Sequence, residues 1–476
     1  MTGSHTVEKI GGTSISWGGI LDSVLLGTRQ GAARYGRIIV VSAYAGITDL
    51  LLENKRTGEP GVYALYGNPD ADGDWLEALA LLSERMLELN AAILDREDRP
   101  AADAFVRKRV EHVRSCLLDL QRLCGHGPFE MGEYLRTVRE LLAGVGEAHS
   151  AHNTVLLLRR HGVDAAFVDL TGWQDDECVE LEAQIDRHLG GIDLSRTLPI
   201  VTGYAHCREG LITSYQRGYT EITFSRIAAA TGAREAIIHK EYHLSSADPR
   251  TVGADRAVPI GRTNYDVADQ LSLLGMEAVH PRAARTLRRA GIPLRVKRAH
   301  EPDHAGTLIE SDYQSREPCV EIVAGRRGVF AFEIFDHEML DQRGHQAEIQ
   351  RRLDEHRIGI IARESNANSI THYLACDASL IERLRTALEQ RFTDATVSVR
   401  RVAVIAAIGS DLDVPGLLAR CVSALSEADI PILAIHQSIR AVDIKFVVDD
   451  EHYQDAIVHL HERVIAPHLR QIARVA

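Results

Sequence analysis

The chain has 476 residues, of which 45% are hydrophobic and 25% charged, and its formal net charge at pH 7 is -13. This length predicts about three domains of roughly 150 residues, each long enough to bury a core. The excess of acidic residues argues against nucleic acid or an anionic membrane surface as the main partner. Seven cysteines without a CxxC pair indicate reduced thiols. Since the sequence shows neither an apolar span nor a secretory signal, we expect a cytoplasmic protein.

The first motif along the chain is VEKIGGTSIS, residues 7–16, in which a short apolar strand runs through Lys9 into Gly11 and Gly12. Glycines at a strand end let an anion approach the backbone N–H groups, and a following helix directs its positive end to the same place. The motif is therefore typical of a phosphate site. A plain strand-to-helix turn is the alternative interpretation.

Up to about residue 300, short β-branched runs alternate with amphipathic stretches. The strand-like runs are 36–46, 164–172, 198–206, 234–240 and 292–297. The alternation predicts a mainly parallel sheet with helices on both faces, in which ligands bind at the carboxyl ends of the strands. Residues from about 74 to 124 have helical periodicity without a strand candidate, which predicts a helical excursion from the sheet.

After EPDHAGTLI, residues 301–309, the pattern changes and an internal repeat begins. Two stretches match each other at an offset of roughly 73 residues, and each is predicted as strand, helix, strand, strand, helix. In the second copy, Asp413 followed by Pro415 predicts the start of a helix. The repeat predicts two small ferredoxin-like units that form a regulatory half.

Three further loops carry residue types that phosphoryl transfer requires. SAYAGITD, residues 42–49, places Ser42 and Thr48 after a strand; Glu147 is predicted near the beginning of a helix; Arg217 and Gly218 directly precede another. Taken singly, these are also compatible with a turn, a solvated glutamate and a surface arginine. Because all of these loops fall at the same edge of the predicted sheet, together with the glycine motif they predict one site.

These motifs resemble those of the aspartate kinases of the amino-acid-kinase superfamily, over essentially the whole chain. KIGGTS, residues 9–14, resembles the family's K-F-G-G-T-S, and SAYAGITD resembles S-A-x-x-G-x-T-[DN]. SSADPRTVG, residues 245–253, resembles the T-A-D-P-R nucleotide loop, and the repeat is similar to paired ACT domains. The resemblance implies an α/β amino-acid-kinase domain over 1–312, with the sheet sandwiched by helices, followed by ACT domains at 319–395 and 396–476.

The resemblance also implies ligands, partners and residue roles. It implies ATP, Mg²⁺ and L-aspartate, a homodimer or higher homo-oligomer, and a possible amino-acid effector at the ACT domains. Lys9 would contact the transferring phosphoryl group, which Gly11 and Gly12 would cradle. Glu147 would hold the α-ammonium of aspartate and Arg217 its α-carboxylate. The remaining candidates are Ser42, Thr48 and Gly218 for substrate, Thr13, Ser14, His239, Lys240, Ser245, Arg250 and Glu277 for the nucleotide, and Asp336 and Gln342 for the effector.

Some positions depart from the family pattern. QRGYTE, residues 216–221, replaces the usual R-G-G-S-D, and Glu277 stands where the family has the lysine of G-A-K-V-L-H-P. His239 and Lys240 stand where the family has T-D before the nucleotide loop. We therefore predict that Lys240 supplies the missing positive charge, the alternative being that Lys240 and Glu277 point to solvent. The stretch ENKRTGEPGVYALYGN, residues 53–68, resembles the aspartate kinases associated with ectoine biosynthesis.

Two other functions are compatible with the sequence. One is an amino-acid-binding regulator on a degenerate kinase fold, which the departures from the family pattern allow. The other is a related carboxylate kinase, for example one acting on glutamate, which the paired repeats disfavour. The 22 histidines show no HExxH or comparable spacing, so no zinc site is predicted.

Overall fold

The computed structural model describes residues 4–16, 18–27, 29–54, 57–71, 73–173, 175, 177–215, 218–276, 279–337, 339, 345–356 and 358–465. The strands are β1 (Thr6–Ile10), β2 (Arg37–Val41), β3 (Ala165–Val168), β4 (Leu198–Thr202), β5 (Glu235–Lys240), β6 (Arg262–Asn264), β7 (Leu294–Arg298), β8 (Thr307–Glu310), β9 (Ile322–Phe335), β10 (Gly359–Ser365), β11 (Ser369–Ala375), β12 (Thr396–Ile408), β13 (Ala434–Gln437) and β14 (Asp443–Asp449). The α-helices are α1 (Gly12–Ile15), α2 (Ile47–Leu51), α3 (Val62–Tyr66), α4 (Asp74–Ile93), α5 (Arg99–Cys124), α6 (Met131–Arg160), α7 (Leu181–Leu189), α8 (Leu211–Tyr215), α9 (Tyr219–Thr231), α10 (Pro249–Val252), α11 (Tyr265–Leu273), α12 (Pro281–Arg289), α13 (His345–Glu355), α14 (Ala378–Arg391), α15 (Leu417–Ser426) and α16 (Tyr453–Leu460).

The chain divides into two compact units. The first consists of Met1–His243 and Val279–Ser311, and the second of Leu244–Ala278 and Asp312–Ala476. The predicted domain boundaries, 1–312, 319–395 and 396–476, stay predictions beside this division. None of the helices in the described part of the chain is long and apolar enough to cross a membrane.

The first unit contains a mainly parallel sheet whose strands lie in the order β3-β4-β2-β1-β5-β7-β8. Neighbouring strands pair in parallel except β7 and β8, which are antiparallel. Every residue of β2 and β4 is buried, as expected for parallel strands covered on both faces. The predicted α/β fold is confirmed. In this register Lys9 lies between Val40 and Ile238, so β1 is central and its carboxyl end is flanked by those of β2 and β5.

The predicted helical excursion corresponds to α4 and α5, and buried polar side chains connect it to α6. The Asn90 amide donates to Asp103 at 2.9 Å. The Asn90 carbonyl oxygen accepts from Asn153 at 2.8 Å and lies 2.6 Å from the Nε2 atom of His149. Burial makes these contacts specific, because each group has given up water and needs a protein partner.

Helix α6 begins earlier than the sequence predicts. Glu147 lies in the interior of Met131–Arg160 and not near its beginning, so that prediction was wrong. Gly144 and Gly146, which precede Glu147 within the helix, allow close packing. A Cβ atom on Gly144 would lie 2.9 Å from Thr171, and one on Gly146 would lie 2.8 Å from the Cβ of Ala43. The two glycines therefore let neighbouring loops approach the helix beside Glu147.

The second unit contains a six-stranded sheet in the order β10-β11-β9-β12-β14-β13, in which all pairs are antiparallel. The long strands β9 and β12 pair from Phe335↔Thr396 to Ile322↔Ile408, so both repeats share them. Phe332 and Ile334 pack in one hydrophobic core, while Ile405 and Ala407 pack in a second. The predicted pair of ferredoxin-like units is confirmed, and the shared strands join the two into one sheet.

The start of α15 differs from the prediction. The helix begins at Leu417, after Gly416 with φ +76°, and not at Asp413. The backbone N–H of Asp413 donates to the Asp411 carboxylate at 2.9 Å. Because the Asp411 side chain holds this segment in a local turn, the N-cap lies at Gly416, three residues later than the sequence pattern indicates.

Candidate active site

Two lysines approach one carboxylate at the carboxyl end of the first unit's sheet. The Nζ atom of Lys9, in β1, lies 3.4 Å from Oε1 of Glu221 in the first turn of α9. Burial alone would raise the pKa of Glu221, but the charges of Lys9 and Lys240 and a hydrogen bond from the backbone N–H of His280 lower it. Glu221 is therefore ionised and holds positive charge at this edge of the sheet.

The GGTS loop packs tightly against the loop that follows β2. A Cβ atom on Gly12 would lie 2.7 Å from the carbonyl oxygen of Ala43, so no larger residue fits without a shift. Ser16 fastens the two loops, since its Oγ donates to the Gly12 carbonyl at 2.7 Å and accepts from the Ala45 N–H at 2.9 Å. A Cβ atom on Gly11 would lie 3.6 Å from the Nζ atom of Lys9. The predicted glycine cradle therefore lies directly beside the Lys9 ammonium.

Thr13 and Ser14 lie in the single turn of α1, but they differ in exposure. Thr13 is exposed, whereas Ser14 is buried. The Ser14 hydroxyl has no hydrogen-bond partner among the residues that the structure describes. The assignment of Thr13 and Ser14 to the nucleotide stays a prediction.

Glu147 is buried and only half paired. Its Oε1 accepts a hydrogen bond from Thr220 Oγ1 at 2.8 Å, and Thr220 is in turn 3.3 Å from the Ser42 hydroxyl. Its Oε2 has no partner within the described part of the chain. An unpaired carboxylate oxygen in a buried position is costly unless a donor arrives, and an ammonium group is such a donor.

The environment of Glu147 shifts its protonation. Burial raises the pKa of Glu147 to about 8, although the Thr220 hydroxyl, the backbone N–H groups of Tyr204 and Ala43, and the charge of Lys9 act in the opposite direction. A cation bound at Oε2 would favour the ionised form. The charge of Lys9 therefore acts on Glu147 at this edge of the sheet.

Thr48 and Gly218 lie next to Tyr219, the residue before Thr220. The Thr48 hydroxyl bonds to the Tyr219 hydroxyl, which is buried. Gly218 precedes α9 with φ +73°, and a Cβ atom there would lie 2.7 Å from the His280 side chain. Both the backbone conformation and the lack of space require glycine at this position.

His239 lies at the predicted strand end but is engaged with protein groups. Its Nε2 lies 2.8 Å from Oε2 of Glu8, which is buried and also accepts two hydrogen bonds from Arg37 at 2.7 and 2.9 Å. Burial lowers the pKa of His239. This ion-pair group lies on β1, β2 and β5 and fixes the strands that carry Lys9 and Lys240.

The other predicted nucleotide residues lie in the second unit. Ser245 is buried, and its hydroxyl donates to the Ala247 carbonyl at 2.8 Å. Arg250 is exposed and pairs with Asp248, which caps α10. Two contacts anchor the loop in that unit. The Ser246 hydroxyl lies 2.9 Å from Nε2 of His461, and the Ser246 carbonyl accepts from the Val323 N–H at 2.8 Å.

The remaining candidates divide into one described residue and three others. Asp336 is buried directly after β9, and its N–H donates to the Asn368 carbonyl at 2.9 Å. Arg217, Glu277 and Gln342 lie outside the described residues.

Three residues of the site were not singled out from the sequence: Tyr219, Thr220 and Glu221. All of them follow Gly218 in the segment GYTE. The signal available was an acidic residue in the first turn of a helix whose start is marked by glycine. That signal does not identify Lys9 as the partner of Glu221, because Lys9 is more than 200 positions away in the sequence.

Residues 5–298 match the Amino acid kinase family, and residues 405–464 match the ACT domain. Aspartate kinase Ask_Ect of Stutzerimonas stutzeri (strain A1501) is 54% identical over 465 residues, which cover 97% of this chain and 98% of that relative. The chain belongs to the aspartate kinases of the amino acid kinase family. The aspartokinase of Schizosaccharomyces pombe is 25% identical over 373 residues, covering 71% of each chain.

Solved structures show the same fold over nearly the whole length of this aspartate kinase. E. coli aspartokinase III in complex with lysine and aspartate has a TM-score of 0.70 at 22% identity, covering 97% of this chain and 100% of that one. The same enzyme in complex with aspartate and ADP has a TM-score of 0.68 at 22% identity, covering 96% and 99%. The predicted family and its ACT domains are confirmed.

Proposed function

We propose that this aspartate kinase transfers the γ-phosphoryl group of ATP to the β-carboxylate of L-aspartate, forming 4-phospho-L-aspartate and ADP. The proposal rests on two features at one edge of a parallel sheet. Glu147 is a buried carboxylate whose Oε2 has no partner in the described part of the chain, and Lys9 and Lys240 supply positive charge at the same edge. A zwitterion with a second carboxylate matches this arrangement: its ammonium fits Glu147 and its anionic side chain fits the lysines.

Glu147 binds the α-ammonium of aspartate through Oε2, while Thr220 keeps Oε1 in place. Arg217 is assigned to the α-carboxylate, and Ser42, Thr48 and Gly218 shape the pocket. With both ends of the amino acid bound, the β-carboxylate is directed toward Lys9. Holding the nucleophile in a fixed orientation is a large part of catalysis in phosphoryl transfer.

No general base is needed, because the β-carboxylate, with a pKa of about 3.9, is already ionised at pH 7. The remaining difficulty is the repulsion between two anions. Lys9 and the backbone N–H groups of Gly11 and Gly12 reduce it by stabilising the charge that develops on the transferring phosphoryl group. Glu221 keeps the Lys9 ammonium at this position.

Lys240, His239, Thr13 and Ser14 are assigned to the nucleotide from the first unit. The proposal for Ser245, Arg250 and Glu277 as nucleotide residues rests on the resemblance of their motifs to those of the family. Among these, Lys240 has the clearest support, because its charge acts on Glu221 beside Lys9. We expect it to replace the family lysine for which Glu277 is substituted.

Mg²⁺ is expected with the nucleotide, where it neutralises phosphate charge. Within the described part of the chain, no three His, Cys, Asp or Glu side chains come together as a metal site. At nucleotides Mg²⁺ is usually held by phosphate oxygens, water and one or two carboxylates, and we assign no protein ligand to it.

The proposed reaction is tested by ADP release with aspartate or glutamate as acceptor. We expect turnover with aspartate and little with glutamate, because Glu147 and Lys9 define a pocket of one length. Glu147→Gln should lose aspartate affinity and keep nucleotide binding. Equal turnover with both acids would contradict the substrate assignment, and absence of turnover would favour the regulator.

For the second unit we propose an amino-acid effector, bound near Asp336 and Gln342. E. coli aspartokinase III, which has the same fold, has been solved in complex with lysine. Calorimetry of the intact protein with lysine, threonine and other aspartate-derived amino acids tests this assignment. Absence of binding would leave the ACT domains a structural role.

We further propose that the product enters ectoine biosynthesis and that the enzyme is a homodimer or higher homo-oligomer in the cytoplasm. The stretch 53–68 and the relative named Ask_Ect support the pathway. Ectoine genes beside this one would agree with it. Sedimentation equilibrium would measure the number of subunits.

A further inference from the structure

Helix α6 carries a second buried carboxylate on the same face as Glu147. Glu140 precedes Glu147 by seven residues, which is two turns or about 10 Å along the helix. Both are nearly inaccessible to water, at 6% and 1% exposure. They differ in their hydrogen bonds, and that difference separates their roles.

Both oxygens of Glu140 are occupied by protein donors. Oε2 accepts from the Tyr204 hydroxyl at 2.6 Å and from the Ile212 N–H at 3.3 Å. Oε1 accepts from the N–H and the hydroxyl of Thr213, both at 2.9 Å. Gly210, with φ +67°, passes so close that a Cβ atom would lie 3.1 Å from Oε1. Glu140 therefore has no vacancy for a ligand, in contrast to Glu147.

The donors to Glu140 belong to the two segments that flank Glu147. Tyr204 follows β4, its backbone N–H faces the Glu147 carboxylate, and its ring packs edge-on against Tyr219 at 5.9 Å. Ile212 and Thr213 lie in α8, which leads toward Thr220, the hydroxyl donor to Glu147. One carboxylate thus ties both segments to the helix that carries Glu147.

We propose that Glu140 is a positioning residue for the aspartate pocket. By binding Tyr204 and α8, it holds the segments on either side of Glu147 in place. The inference rests on the proposed function, because it assigns the pocket around Glu147 to the amino-acid substrate. The donors to Glu140 lie after β4 and in α8, whereas Lys9 and Lys240 lie on β1 and β5. Loss of Glu140 therefore affects the amino acid and not the nucleotide.

The test is Glu140→Gln, which keeps the size of the side chain but places an NH₂ group against hydroxyl or N–H donors. We expect KM for aspartate to rise about tenfold, with KM for ATP within about twofold of wild type, since only the geometry of one pocket is lost. Glu140→Asp, which keeps the acceptors, should recover part of the affinity. Glu133→Gln is the matched control, because Glu133 is exposed, lies seven residues earlier on α6 and should leave both constants unchanged.

Tyr204→Phe provides a second measurement that does not depend on how Glu140→Gln folds. It removes one hydroxyl and should raise KM for aspartate several-fold without changing KM for ATP. An unchanged KM for aspartate in folded Glu140→Gln, or in Tyr204→Phe if Glu140→Gln does not fold, would overturn the inference. So would a parallel rise in both constants. If wild type turns over aspartate, either result overturns this inference alone, whereas a wild type inactive on aspartate overturns the proposed function and this inference with it.

Discussion

The Lys9 ammonium lies 3.4 Å from the Glu221 carboxylate, and both side chains are largely shielded from water. A pair in such a position costs desolvation that its attraction only partly returns, so stability alone is a weak reason for it. It does hold a flexible lysine at the end of β1, next to Gly11. Glu221 therefore orients Lys9, and the backbone N–H groups of Gly11 and Gly12 stay available for phosphate.

Lys9→Ala should leave a folded protein with kcat reduced by a factor of about 10² to 10³, because one charge that stabilises the transition state is removed. Steady-state ADP release measures this. Lys108→Ala, at an exposed position of α5, is the control for the loss of a lysine. Activity of Lys9→Ala within tenfold of wild type would exclude Lys9 from the phosphoryl site.

Lys240→Ala should raise KM for ATP at least about tenfold, because a cation beside Glu221 and Lys9 is lost from a partly desolvated anion site. Lys240→Arg keeps the charge and should show a smaller change. Initial rates over a range of ATP concentrations measure both. Near-normal use of ATP by Lys240→Ala would show that the charge comes from elsewhere.

The affinity for aspartate should rise with pH. Burial raises the pKa of Glu147 to about 8, so at pH 7 most molecules hold the protonated form, which binds an ammonium poorly. The ionised fraction grows as pH rises through 8, and KM for aspartate should fall about five- to tenfold between pH 7 and 8.5. In Glu147→Gln the pH dependence should disappear. A KM for wild type that is flat or rises over this range would contradict the role of Glu147.

Gly12→Ala should inactivate the enzyme, since the added Cβ would lie 2.7 Å from the Ala43 carbonyl and force the two loops apart. A shift of about 1 Å in a phosphate loop costs on the order of 10²-fold in rate. At Gly18 a Cβ atom meets nothing within 4 Å, so Gly18→Ala is the matched control and should retain activity. Comparable kcat values for the two variants would refute the tight packing at Gly12.

Glu8→Gln should destabilise the first unit. Burial alone would raise the pKa of Glu8, but the charge of Arg37 and hydrogen bonds from His239 and Arg37 hold it well below 4.5. The stability that this carboxylate contributes is therefore complete above about pH 4.5 and lost as pH falls through the lower folded value. At pH 7 the variant should lose about 3 to 5 kcal/mol, because Arg37 remains buried without its partner.

Urea unfolding of Glu8→Gln and wild type at pH 7 and below pH 4 measures this difference. It should shrink at the lower pH, because the unfolded wild-type chain binds a proton at Glu8 before the folded protein does. A difference of equal size at both values would show that packing and not ionisation is responsible.

Several elements followed from local chemistry. The strands around Lys9 and Ser42 were predicted because β-branched runs end in glycine or small residues, and Gly218 marks the start of α9 as expected. Glu147 was correctly placed on a helix, although its position along that helix was wrong. Gly218 has φ +73° and interrupts the helical backbone, whereas Gly144 and Gly146 have no positive φ and lie within α6.

By itself, the sequence determined the fold class, the two ferredoxin-like repeats and the motif residues at the strand ends, because hydrophobic period and glycine placement act over a few residues. Only the tertiary structure decided which of these residues meet. Lys9 pairs with Glu221 across 212 positions, and Thr220 bonds Glu147 across 73. Such contacts depend on how crossover helices return the chain to the sheet, which local pattern does not encode. The sharing of β9 and β12 between the repeats arises in the same way, since strand pairing is decided by burial of whole faces and not by either segment alone.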